Sequence, residues 1–370
     1  MYEYCQSKTI PHERCGKLIV AATEEEHFKV VQLYERGVQN GVKGLEVVFG
    51  DRIRELEPNV AGYSALYSPH TGVVDYAAVA RSFAHDILSS GRGAIRLCFQ
   101  ANEFEETTAL TQAQNTQSTQ NNQQNDAAHP QVAESRVIVR GTEPGQRGPT
   151  MTVTGRRVIT CAGLQSDRVA KAAGGMKAPR VVPFRGTYYQ LKDKYKDMVH
   201  MNVYPVPSNS GIPVGVHFTP TVNERRGEGV IIGPGACLAF HREGYTFSKV
   251  SLRDLVDSVT QVGVFRFLLS NFNLAVTELY RDLNKRAFMR EAQKLIPAVT
   301  EDMTEISFAG VMVQVMLQDG KAASDFIFER GCMNGKALHV RSAPSPACTS
   351  SMAIAEWIVN VAQEDFAWTK

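Results

Sequence analysis

Residues 16–22 (GKLIVAA) form a short apolar run rich in β-formers, which predicts a strand. Thr23, followed by Glu24, Glu25 and Glu26, reads as the capped, acid-rich start of a helix that runs to Val38 and stops at Gly41. A clearer helical pattern follows Asp75. There Tyr76, Val79, Ala80, Phe83, Ala84 and Ile87 make one apolar stripe that closes before Gly91. The stripe lies between two predicted strands, GYSALYSP and AIRLCFQ, and strand–helix–strand is the pattern of a parallel α/β unit.

Apolar positions nearly vanish over residues 105–131, where a Gln/Asn-rich stretch offers little to offset the entropy of ordering it. A disordered surface insert is expected there. SRVIVRG and MTVTGRRVITCAG then resume as strands around the turn-rich TEPGQRGP, the pattern of a small β-meander. VVPFRGTYYQL, VYPVP, PVGVHFTP and GVIIGPG alternate strand-like pieces with Pro and Gly, as an antiparallel sheet does. Residues 248–295 read as helical up to Ile296-Pro297. The chain closes with strands near FAGVMVQV and ALHVRS and a last helix after SAPSPACTSS. The pattern is that of an α/β (mixed α+β) protein with an antiparallel domain.

Length and composition narrow the function classes. The 370 residues, 43% hydrophobic and 21% charged, suffice for two domains. A formal net charge of +2 provides no overall attraction to nucleic acid or an anionic membrane, so small-molecule chemistry is expected. Seven dispersed cysteines, none in a CxxC, fit a reducing compartment and give no metal site. No apolar run approaches the ~18 residues of a transmembrane helix. The first residues look like neither a signal nor a transit peptide, so the protein is expected to be cytoplasmic or to lack its true N-terminus.

Ser345-Pro346 reads as a hydroxyl cap and a first-turn proline opening the last helix. The small residues Ala347, Cys348, Thr349 and Ser350 would let a ligand reach its positive end. The plainer alternative is an ordinary capped helix packing Met352, Ile354 and Ile358 in the core. Arg185, near Tyr188 and Tyr189, has the fork geometry for a carboxylate, although arginines on strands are usually surface residues. His217 and His70 each stand among apolar neighbours, where an imidazole can act as a base or simply be hydrogen-bonded.

Longer motifs carry a family resemblance. RCGKLIVA, SPHTGVVDYAAVAR, VITCAGLQSDRVA, VVPFRGTYYQL, GVHFT and HVRSAPSPACTSSMAIA occur in the order found in the L-2-hydroxyglutarate dehydrogenase family, which the chain resembles over nearly its whole length. The resemblance implies a D-amino-acid oxidase-like fold and FAD as cofactor. It further implies oxidation of L-2-hydroxyglutarate to 2-oxoglutarate by hydride transfer to the flavin. Residues 1–65 and 180–305 would form the substrate domain, and residues 66–179 and 306–370 an incomplete Rossmann-like FAD-binding domain lacking its N-terminal βαβ unit. Ala162, Gly163, Pro344, Ser345 and Pro346 would lie along FAD. Arg185, Tyr188 and Tyr189 would bind a small dicarboxylate, with His217 or His70 as base.

The resemblance implies a quinone or other electron acceptor and a mitochondrial location, with the cytoplasm as the alternative; the near-neutral charge gives no nucleic-acid partner. Two residues depart from the family pattern: Met312 stands where an arginine is usual, and Ser342 where an asparagine is. The chain also starts beyond the family's GxGxxG segment. The competing expectations are therefore a truncated, non-catalytic remnant unable to bind FAD, or a dehydrogenase of a related 2-hydroxy acid or amino acid.

Overall fold

The computed structural model describes residues 1–107, 135–143, 145–146, 148, 151–207 and 215–368. Strands in chain order are β1 His12–Glu13, β2 Lys17–Ala21, β3 Glu46–Phe49, β4 Ser64–Ser68, β5 Val73–Val74, β6 Gln100–Glu106, β7 Val137–Thr142, β8 Met151–Gly155 and β9 Val158–Thr160. They continue with β10 Arg180–Leu191, β11 Asn202–Pro205, β12 His217–Asn223, β13 Gly227–Gly233, β14 Cys237–Leu238, β15 Thr304–Met316, β16 Ile327–Gly331 and β17 Ala337–Ser342. The helices are α1 Tyr2–Ser7, α2 His27–Gln39, α3 Gly50–Leu56, α4 Tyr76–Ser89, α5 Ser166–Ala172, α6 Leu252–Val259, α7 Val262–Ser270, α8 Phe272–Leu283, α9 Lys285–Ala292 and α10 Ser351–Phe366.

The chain divides into two compact units, Met1–Gly93 with Val182–Ala322 and Ala94–Val181 with Ala323–Lys370. The first is built on a nine-stranded sheet of order β14-β10-β13-β12-β11-β2-β4-β3, with β15 also on β10. Its neighbours are mostly antiparallel, whereas β11 and β2 run parallel. Along β2, Leu18 and Val20 turn to one face and join Val203, Phe218 and Ile232 in a core closed by Phe288, Met289 and Ala292 of α9. Ala21 and Ile19 turn the other way, towards Val30 and Leu33 of α2. The period-two alternation of a strand makes both faces of this sheet apolar where helices cover them.

The predicted α4 is present, and Asp75 accepts hydrogen bonds from the amides of Ala77 (2.9 Å) and Ala78 (3.1 Å). The parallel unit expected around it does not form. β4 pairs antiparallel with both β2 and β3, and α4 packs on α1 through Cys5, Ile10, Ala78 and Val79. Most of AIRLCFQ is not strand: Ile95 and Leu97 are exposed, so that run has no sheet to enter. These contacts put residues 66–93 in the first unit, together with residues 306–322 of and beyond β15, where the sequence reading had placed both with the second.

The second unit holds the three-stranded sheet β16-β17-β9, in which β9 and β17 are parallel, and the β6-β7-β8 meander. Glu105 and Glu106, expected to start the insert, instead end β6 in register with Ile138 and Val137. The rest of the expected insert, from residue 108, and parts of TEPGQRGP lie outside the described residues. Val361, Ala362 and Phe366 of α10 pack on Leu338 of β17.

Phe288 is fully buried where α9 meets the sheet. Phe288→Ala is expected to cost about 3–5 kcal/mol by cavity formation, read as a shifted urea midpoint at unchanged slope. A change under ~1 kcal/mol would show that α9 does not anchor the sheet.

Candidate functional site

Parity along β10 separates residues that the sequence reading had grouped. Tyr189 points to the helix-covered face and meets Phe288, with ring centroids 4.9 Å apart. Arg185 and Thr187 share its parity. Arg185 is consequently not a free fork for a ligand: its Nη1 donates to Asp282 Oδ2 of α8 at 2.8 Å and to Thr187 Oγ1 at 2.9 Å. The guanidinium also lies 4.0 Å from the ring centre of Phe247. Asp282 is fully buried and receives the Cys237 thiol at 3.3 Å, and burial pushes that thiol's pKa up to about 12. Arg185 and Tyr189 thus belong to the packing of the first unit.

Tyr188 has the opposite parity. Its ring stacks on Phe308 of β15 at 4.7 Å and 14°, and the Arg226 guanidinium lies 4.0 Å from the centre of Phe308. Gly233 on the neighbouring β13 makes room for the phenol, since a Cβ there would stand 2.7 Å from Tyr188 Cδ1. Burial pushes the Tyr188 pKa up to about 12, so the phenol keeps its proton across the physiological range.

His217 starts β12 and stacks on Tyr204 of β11, with centroids 3.8 Å apart and planes at 14°. Lys17 of β2 places its Nζ 3.7 Å from the centre of the same phenol. The Gly215 carbonyl lies 2.8 Å from His217 Nδ1 and can only accept, so Nδ1 carries the hydrogen and Nε2 is left as the basic nitrogen. Burial, with a smaller contribution from the Lys17 ammonium, lowers the His217 pKa to about 4, against the opposing Gly215 bond. The ring is therefore neutral near pH 7. Burial also lowers the Lys17 pKa and raises that of Tyr204.

His70 is elsewhere in character. It is exposed on the turn after β4, where its carbonyl accepts the Tyr2 hydroxyl at 3.0 Å. Its apolar sequence neighbours do not enclose it. Lys17, Tyr204 and Phe308 were missed from sequence. The available signal was one lysine inside the otherwise apolar GKLIVAA.

In the second unit, β9 and β17 run parallel in the register Ala337↔Val158 to His339↔Thr160, so the segments after them leave from the same end. These segments contain Ala162 and Gly163 on one side and Pro344, Ser345 and Pro346 on the other. Ser166 Oγ donates to the Arg341 carbonyl at 2.9 Å and ties the two together. Gly163 has φ +50°, and no atom lies within 4 Å of where a Cβ would stand. Strand ends of this kind are where open α/β sheets take ligands.

The expected Ser345-Pro346 helix start is not observed, because α10 begins at Ser351. Residues 347–350 form turns instead, in which the Ser350 amide donates to the Pro346 carbonyl (3.0 Å) and the Ser351 amide to that of Cys348 (3.2 Å). Met352 is exposed rather than in the core, and Ile354 and Ile358 are only half-buried. Among the described residues, no group of three or more His, Cys, Asp or Glu is placed to hold a metal, and no helix is long and apolar enough to cross a membrane.

A family profile described as FAD dependent oxidoreductase matches residues 1–361. The mitochondrial L-2-hydroxyglutarate dehydrogenase of Nematostella vectensis is 39% identical over 99% of this chain and 75% of its own length. That of Homo sapiens is 38% identical over 99% and 74%. Among solved structures, L-alpha-glycerophosphate oxidase from Mycoplasma pneumoniae, with FAD bound, has a TM-score of 0.63 at 18% identity, covering 97% of this chain and 74% of the other. Glycine oxidase from Geobacillus kaustophilus has a TM-score of 0.61 at 14% identity, covering 98% and 75%. The structural likenesses establish a D-amino-acid oxidase-like fold.

Asp282→Ala strands a buried guanidinium and is expected to cost about 3–5 kcal/mol of stability in urea unfolding. Replacing the pair together, as Arg185→Met with Asp282→Leu, should recover most of that loss. A wild-type midpoint for Asp282→Ala would show that the pair carries no weight.

Proposed function

Since this chain belongs to the FAD-dependent oxidoreductase family that includes the L-2-hydroxyglutarate dehydrogenases, we propose that it oxidises L-2-hydroxyglutarate to 2-oxoglutarate. The observation that carries the reading is a neutral, half-buried His217 with Nε2 unprotonated, stacked on Tyr204 and on the same sheet as a phenol that keeps its proton. The mitochondrial relatives support a mitochondrial location for this chain as well.

The second unit fits the ring portion of FAD at the ends of β9 and β17. The open space at Gly163 admits a flat ligand close to the backbone, and the small side chains of Ala162, Ala343 and Ala347 leave the approach clear. Ala162, Gly163, Pro344, Ser345 and Pro346 are the residues that would hold it. When bound, FAD supplies the acceptor for the hydride leaving C2 of the substrate.

The protein's own contribution is proton handling and orientation. His217 Nε2 takes the hydroxyl proton as the C2–H bond breaks, and the Gly215 carbonyl keeps the tautomer that makes this possible. Tyr188 donates a hydrogen bond to a substrate oxygen. The Tyr188–Phe308 and Tyr204–His217 stacks keep water from the imidazole. Met312 packs with Val182, Phe184, Val264 and Met316 and brings no charge, so the carboxylates are met by other residues.

Anaerobic addition of L-2-hydroxyglutarate to FAD-loaded protein should bleach the flavin absorbance and yield 2-oxoglutarate. An unbleached flavin would overturn the reading. His217→Gln should lower kcat/KM about 10²–10⁴-fold with the flavin retained.

Because the folded pKa is depressed, the base is present at neutral pH and is lost only as pH falls through about 4. The acid limb of kcat/KM should lie there. A limb near the ordinary imidazole value of 6.5 would show that burial does not depress the base as described.

A further inference from the structure

Lys17 presents an unresolved charge. Its neighbours along β2 are apolar, and its side chain is half-buried. Among the described residues no carboxylate forms an ion pair or hydrogen bond with it. Among the described residues its one partner is the Tyr204 ring, 3.7 Å from Nζ. A desolvated ammonium is costly without a counter-charge, and a ring face offsets only part of that cost. Among the described residues, the titratable groups around this phenol besides Lys17 are His217, Tyr188 and Cys15, none of them an acid that is ionised near pH 7. The strand therefore holds a cation suited to an anion that arrives from outside.

The geometry also indicates which end of a substrate it meets. Lys17 Nζ and the His217 ring lie 3.7 and 3.8 Å from the centre of one phenol, and two groups at face-contact distance cannot share a face. The ammonium and the imidazole consequently flank Tyr204 on opposite sides. A ligand whose hydroxyl reaches Nε2 must pass the edge of the Tyr204 ring to meet the ammonium, and its far end has more reach for that than the carboxylate adjacent to the hydroxyl. A carboxylate at the far end of a five-carbon chain has the reach.

We propose that Lys17 is the anchor for the distal carboxylate of a five-carbon dicarboxylate substrate, a reading that rests on the function given above. The anchor makes selection one of charge: a 2-hydroxy monoacid of similar size leaves the ammonium without its partner.

The test uses the full chain and, first, no turnover. Glutarate, which lacks the reacting hydroxyl, is titrated calorimetrically into wild type, Lys17→Met and Lys17→Arg, with thermal melts confirming that each is folded. Lys17→Met should bind glutarate roughly ten- to a hundredfold more weakly, and Lys17→Arg should retain most of the affinity. Butyrate should bind wild type and Lys17→Met alike.

In FAD-loaded protein, Lys17→Met should raise KM for L-2-hydroxyglutarate more than it lowers kcat and narrow the preference over L-2-hydroxybutyrate. Equal glutarate affinity in folded wild type and Lys17→Met, or no binding by either, overturns the anchor. Lys17-dependent glutarate binding without oxidation of L-2-hydroxyglutarate supports the anchor and defeats the functional reading.

Discussion

The two-residue period of the extended chain governs the chemistry of the first unit. On β10 it turns Arg185, Thr187 and Tyr189 into the helix-covered side and Tyr188 away from it. On β2 it sends Leu18 and Val20 into the core and Lys17 to the other face. A shift of one residue in either strand would exchange core for site. The packing of Phe288, Leu295 and Ile296 on the core side is thus what fixes the register that places the candidate side chains.

Much of the architecture was legible because periodicity and caps are local properties. Asp75 before the apolar stripe of α4 marked a helix start that the fold uses. The Pro/Gly-punctuated segments were rightly read as antiparallel sheet. Strand pairing was less visible. GYSALYSP is equally apolar whether it pairs parallel or antiparallel, and only the neighbouring β2 and β3 decide the direction. Ser345-Pro346 has the composition of a helix start, but the amides that follow close turns onto Pro346 and Cys348, so the helix begins later.

The candidate site was legible by residue type and obscure by role. An arginine between aromatic residues has the same sequence signature whether its partner is a ligand or Asp282, because that aspartate lies far along the chain on α8. His217 was visible as an imidazole among apolar residues. Its tautomer depends on the Gly215 carbonyl, and its stacking on Tyr204 depends on the pairing of β11 with β12. One lysine in a strand ordinarily means a solvated edge, so the sequence alone assigns Lys17 no role. Met312 was noticed as a missing charge, and its apolar surroundings explain why a thioether is accommodated there.

The meander of the second unit has a consequence for how this chain can vary in length. β6 and β7 are paired through Glu106↔Val137, and beyond them the Thr107 amide donates to the Arg136 carbonyl at 2.8 Å. The two ends of the intervening segment are thus joined by the hairpin itself. The entropy of bringing two chain ends together grows by only about 0.6 kcal/mol for each doubling of the number of residues between them. The pairing of Thr107 with Arg136 thus closes this junction by itself, and its geometry sets no length for what lies between the two strands.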